Sequence, residues 1–96
     1  MITASWTRPA VNDLTHLRQY IADRDPRAAN KVAASILAAI VKLRHVPAAG
    51  RPGRIAGTRE LVVVDAPYIV AYRVRDGILE VLRVMHTARR WPTKLP

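Results

Sequence analysis

Cysteine is absent from this chain of 96 residues, which excludes disulfides and thiolate chemistry and is compatible with a reducing cytoplasm. Long apolar runs are missing too. Nothing approaches the length of a membrane span, and the first residues lack the charged-then-apolar pattern of a signal peptide. The expectation is a cytoplasmic protein with no membrane partner. No pair or triad of His, Asp, Glu or Cys has metal-ligand spacing, so no metal is expected. Gly50-Arg-Pro-Gly53 lacks the Lys and Ser/Thr of a phosphate-cradling loop, and no serine sits in a recognisable nucleophile setting. No cofactor is expected either.

Acidic residues are scarce: 7 Asp+Glu face 16 Lys+Arg, a net charge of +9. Thirteen of the sixteen are arginine, which favours bidentate contacts to phosphate or carboxylate and stacking on bases. Such an excess in so small a domain implies an anionic partner, either nucleic acid or an acidic protein. The hydrophobic share of 50% argues for a folded chain. At this length one domain spanning 1–96 is expected, burying roughly 60–65% of the surface its unfolded chain exposes.

Ile2, Ala4 and Trp6 alternate with polar residues, as on the buried face of a short strand. Thr7 can cap a helix whose first turn tolerates Pro9. Val11, Leu14, Leu17 and Ile21 then form an apolar stripe over about residues 8 to 23, with Asp13, Arg18 and Arg24 pointing elsewhere. Asp25-Pro26 repeats the start signal, and Ala29, Val32, Ala33, Ile36, Ile40 and Leu43 carry a second helix to about His45, ahead of Pro47. The short gap between the two dictates an antiparallel helical hairpin. Pro47 to Gly57 reads as a loop, Arg59 to Val64 as a strand and Asp65-Ala-Pro67 as a turn.

Tyr68 to Arg75 and Ile78 to about Met85 flank Asp76-Gly77, which suits a type I′ turn and a tight hairpin. A two-residue turn sets Arg75 against Ile78, Arg73 against Glu80, Tyr72 against Val81, Val70 against Arg83 and Tyr68 against Met85. Tyr68, Val70, Tyr72, Val74, Leu79, Val81, Arg83 and Met85 then share one face. Neither face is purely polar, which leaves the covered side open. The expected architecture is α+β: an N-terminal strand and a helical hairpin packed on a small antiparallel sheet, in the order β-α-α-β-β-β.

His86 stands beside a basic cluster, and an imidazole is a side chain suited to general acid-base work. With Arg83, Arg89 and Arg90 it is the candidate for action on a phosphodiester. The plainer reading, favoured on spacing, is that His86 ends its strand with a backbone hydrogen bond, since no second base or nucleophile is near in sequence. His16 reads as a surface residue, and His45 as serving a helix C-terminus. Trp91 is either a stacking platform or a ring folded back to seal the sheet. Residues 86–96 form a C-terminal tail. Arg51, Arg54, Arg59, Arg89, Arg90 and Trp91 are the candidates for contact with a partner or target.

Gly57-Thr-Arg-Glu-Leu-Val-Val63, Pro67-Tyr-Ile-Val-Ala-Tyr-Arg-Val74 and Leu79-Glu-Val-Leu-Arg-Val-Met-His-Thr-Ala-Arg-Arg-Trp-Pro92, behind a short strand and two helices, resemble the RelE/ParE toxins of type II toxin-antitoxin systems. The resemblance covers nearly the whole chain. It implies a small cytoplasmic toxin, neutralised by a cognate acidic antitoxin that helps repress their operon. RelE-like members cut messenger RNA on the ribosome with an arginine in a Tyr-Arg motif. Here Ile69 follows Tyr68, and the C-terminal tyrosine of several such nucleases is missing. The pattern is closer to the ParE branch, which implies a non-enzymatic poison of DNA gyrase; the alternative is a ribosome-dependent mRNA endonuclease using His86, Arg83 and Arg73.

Overall fold

Each helix begins where a side-chain oxygen replaces a missing intrahelical acceptor. In the computed structural model, which describes residues 1–96, the Thr7 hydroxyl accepts from the Ala10 amide at 3.1 Å and opens α1, Arg8–Ala22. The Asp25 carboxylate accepts from Arg27 and Ala28 and opens α2, Pro26–His45. Both caps match the sequence reading, with Pro9 and Pro26 in the tolerated first turn. α2 buries Ala29, Ala33, Ile36, Ile40 and Leu43, as its periodicity requires. On α1 the inward stripe begins at fully buried Ala10, while Val11 is 45% exposed, a correction to the expected Val11 position. The helices pack on each other across the short Asp23–Asp25 connection, giving the expected helical hairpin. Neither is long and apolar enough to cross a membrane.

Five strands form one sheet: β1 (Thr3–Trp6), β2 (Arg51–Pro52), β3 (Arg59–Val62), β4 (Tyr68–Arg75) and β5 (Ile78–His86), in the order β1-β5-β4-β3-β2. The layered α+β architecture is as expected, but the sheet is mixed rather than purely antiparallel, because β1 lies parallel to β5. The helical hairpin is long enough to carry the chain back across the sheet before it re-enters. The segment expected to be a loop also holds a 3-10 turn, Pro47–Ala49, and the two-residue β2, where Arg51 lies opposite Glu60. Composition marked the breaks there, while the pairing is set at a distance.

Asp76 and Gly77 both have positive φ, 54° and 73°, consistent with the expected type I′ turn. Tyr72 lies opposite Val81 and Arg73 opposite Glu80, as the simple register requires. Beyond this the ladder shifts by one: Ala71 faces Arg83, Val70 faces Val84, and Tyr68 faces His86. The expected pairings of Val70 with Arg83 and Tyr68 with Met85 are therefore wrong. A β-bulge leaves Leu82 as the extra residue, and its carbonyl accepts from the Thr7 hydroxyl at 2.8 Å.

The slip decides the core. Tyr68, Val70, Tyr72, Leu79, Val81 and Val84 meet Leu17, Ile36, Ile40 and Leu43 in one cluster, with Ile2, Ala4 and Trp6 half-buried against it. Ile69, Ala71 and Met85 are also buried, but outside that cluster. Across from Ala71, Glu60 holds Arg54, whose guanidinium lies 4.1 Å from the centre of the Trp91 ring, so the tail folds back along this second face.

Tyr72 anchors the irregular segment to the sheet. Its buried hydroxyl donates to the Pro47 carbonyl at 2.6 Å and accepts from the Gly50 amide at 2.9 Å. A Cβ on Gly50 would lie 2.5 Å from that hydroxyl, so only glycine fits. Burial, only partly offset by the Gly50 hydrogen bond and Arg59, raises the pKa of the Tyr72 phenol above its ordinary value. Because the folded pKa is the higher one, this contribution is complete below about pH 10 and falls as pH rises toward and through the folded value. Urea denaturation should show stability declining above that pH, with a shallower decline in Tyr72→Phe. At neutral pH, Tyr72→Phe should cost about 1–3 kcal/mol, since the Gly50 amide and Pro47 carbonyl both lose a partner.

Candidate functional site

β1 covers β5 only as far as Val81, which leaves the edge of β5 from Leu82 onward without a strand neighbour. α1 fills that place with side chains. One Asp13 carboxylate oxygen accepts from the Val84 amide at 2.9 Å and from Arg83 Nε at 2.6 Å; the other accepts from Arg83 Nη2 at 2.9 Å. This fork replaces the missing ladder and neutralises the guanidinium. The Asp13 hydrogen bond raises the Arg83 pKa, outweighing partial burial, so Arg83 keeps its charge and donates no proton. Asp13, expected to point away from the core stripe, is thus the residue that seats α1 on β5. Its partner lies 70 residues away, so no local spacing signals it.

An open groove of about 460 Å³ lies between α1, the start of β4 and the end of β5. His16, Tyr20, Tyr68, Arg83, His86 and Arg89 are among its lining residues. His86 Nδ1 accepts from the Ala88 amide at 3.0 Å, and its ring meets Tyr68 edge-on, with centroids 5.2 Å apart. A neutral His86 therefore carries its proton on Nε2, the nitrogen left for a ligand. Burial raises the Tyr68 phenol pKa, and the charge of Arg89 works against that rise. The Arg89 side chain makes no hydrogen bond or ion pair.

The sequence candidates divide by location. His86, Arg83 and Arg89 meet in the groove, and the fold adds His16, a second imidazole lining the same space. Arg73 is elsewhere, 2.9 Å from Glu80, which also holds Arg75 at 3.2 Å. Arg51 and Arg54 share the buried Glu60 carboxylate, and Arg59 donates to the Gly50 carbonyl at 2.7 Å. Arg90 is exposed and without an ion pair, while Trp91 is half-buried with an indole nitrogen that lacks a partner. Ile69 is buried at the position where the resemblance to RNA-cleaving toxins would require arginine. No three His, Cys, Asp or Glu side chains are grouped to hold a metal ion.

The family profile described as the ParE toxin of the type II toxin-antitoxin system, parDE, matches residues 4–91. Y4kP of Sinorhizobium fredii, named as a candidate toxin, is 47% identical over 90 residues, covering 94% of this chain and 93% of that protein. Toxin RelE2 of Caulobacter vibrioides is 40% identical over 89 residues, covering 93% of this chain and 99% of its own. Among solved structures, a chain of the chromosomal ParDE TA system from P. aeruginosa aligns with a TM-score of 0.83 at 28% identity. That alignment covers 90% of this chain and 96% of the other.

The Asp13 fork can be probed directly. Asp13→Ala leaves the Arg83 guanidinium and the Val84 amide unpaired and should lower unfolding stability by about 2–4 kcal/mol. Asp13→Asn, which keeps an acceptor, should lose less in the same denaturation experiment.

Proposed function

The chain belongs to the ParE toxin family of type II toxin-antitoxin systems, and from that premise we propose that it arrests growth by binding DNA gyrase in the cytoplasm and blocking replication. A cognate acidic antitoxin neutralises it and, with it, represses their operon. The observation that carries binding over catalysis is the state of Arg83. A guanidinium already forked onto Asp13 at 2.6 and 2.9 Å has its donors and its counter-charge committed, which leaves it poorly placed to stabilise a phosphoryl transition state. Arg73 is held by Glu80, away from His86, so the three nuclease candidates do not form one site. The tail fits a binding role better: Arg89 and Arg90 carry charge without a carboxylate partner.

A second reading, ribosome-dependent cleavage of mRNA, draws support from His16, which lines the same groove as His86 and supplies the companion base that sequence spacing lacked. The two readings diverge in vitro. Purified protein should inhibit supercoiling by gyrase, His86→Ala should still arrest growth, and combined Arg89→Ala and Arg90→Ala should raise the inhibitory concentration about tenfold or more. Codon-linked mRNA cleavage on ribosomes, with supercoiling untouched, would establish the nuclease reading instead.

A further inference from the structure

Beyond Arg89 the chain is fastened at one place. The last backbone hydrogen bond of the tail runs from the Arg89 amide to the His86 carbonyl, and residues 90–96 add none of their own. Pro92 and Pro96 have no amide proton to donate, so this stretch cannot prolong the ladder of β5 as a regular strand. What holds it is Trp91, whose half-buried ring lies with its centre 4.1 Å from the Arg54 guanidinium carbon.

The seat for that ring is firmly built. Glu60, 2% exposed, accepts from the Arg54 amide at 2.9 Å, lies 3.5 Å from Arg54 Nε and takes Arg51 at 3.2 Å. Backbone and guanidinium of Arg54 are thus held by one buried carboxylate, which fixes the plane on which the indole stacks. Glu60 stands opposite Ala71 in the β3–β4 ladder, so the ring on Arg54 belongs to the sheet face turned away from the helices.

The occupant fits the seat less well than the seat is made. The Trp91 indole nitrogen is buried and has no acceptor. Water accepts that proton when the tail is free, so closing forfeits a hydrogen bond that opening restores. One stacking contact set against one lost hydrogen bond, with no backbone pairing on either side, leaves the closed and open states close in free energy.

We propose that residues 90–96 form a strap that exchanges between a closed state, with Trp91 on Arg54, and an open state, and that Glu60 is the positioning residue that sets the balance by fixing Arg54. The strap joins two basic segments that lie far apart in sequence, Arg51 to Arg54 and Arg89 to Trp91. Coupling between them is reciprocal: a ligand that takes the Arg54 guanidinium opens the strap, and one that takes the tail uncovers Arg54.

The test is NMR on the full, isotope-labelled chain, in which Trp6 and Trp91 are the only indoles. Exchange-saturation measurements should find a minor state populated at about 1–10% at Trp91 Nε1 and at the amides of Arg90, Trp91, Thr93, Lys94 and Leu95, and none at Asp76 and Gly77. Arg54→Lys keeps the charge and loses the planar face, and should raise the open fraction about fivefold. Glu60→Gln should move it in the same direction, with the β3–β4 pairing of Leu61 and Val70 reporting an intact sheet. Trp91→Ala should give residues 90–96 the order of a free chain. A single closed state, with the Trp91 indole proton exchanging as slowly as the buried amides of β4, would overturn the proposal. So would a tail already disordered in the unaltered chain, or a minor state whose population Arg54→Lys leaves unchanged.

Discussion

β5 holds one residue more than the strand it pairs with, and the arrangement of the molecule depends on where that residue sits. Leu82 has no partner on β4, so every side chain after it changes face. Without the bulge, Arg83 would stand in the row beneath the helices, an ionised group in an apolar layer. Desolvation there costs several kcal/mol unless a partner is buried with it. With the bulge, Val84 joins Val81 and Tyr72 in the core, and Arg83 meets Asp13 at the sheet margin. Thr7 and Asp13 then satisfy the carbonyl of Leu82 and the amide of Val84, which β1 is too short to reach. Covering the edge of β5 and fixing α1 are one event, and the groove between them is its by-product.

Scarce carboxylates organise the arginines. Glu60 holds Arg51 and Arg54, Glu80 holds Arg73 and Arg75, and Asp13 holds Arg83. The pairs on Glu80 are half-exposed and contribute little to stability. Glu60 differs, because it is 2% exposed and relies on the Arg54 amide and two guanidiniums to keep its charge matched. A high count of arginine therefore overstates the charge available to a partner. In the tail, Arg89 and Arg90 have no carboxylate partner.

The same tail has a structural duty. Ile69, Ala71 and Met85 are buried on the face away from the helices, and Trp91 lies along that side beneath Arg54. Of the two roles weighed for Trp91, a half-buried ring beneath the Arg54 guanidinium fits the one that folds back along the sheet. A small domain with one modest core has few other ways to cover a second sheet face.

Much of the fold was legible locally. Thr7, Asp25, Pro9 and Pro26 mark helix starts, alanine and isoleucine spacing marks the buried side of α2, and Asp76-Gly77 marks the turn, because each signal acts within four residues along the chain. The recurring motifs of the last third pointed to the toxin family for the same reason. The candidate site was legible only in part: His86, Arg83 and Arg89 were visible as a basic cluster, while Asp13, His16 and Tyr20 were not. Local signals along the chain thus specify the set of elements, their order and the basic end of β5. The register beyond Tyr72, the face the helices cover and the pairing of the arginines were settled by folding. Those depend on a bulge and on ion pairs between residues as far apart as Asp13 and Arg83, and such contacts exist only once the chain has closed on itself.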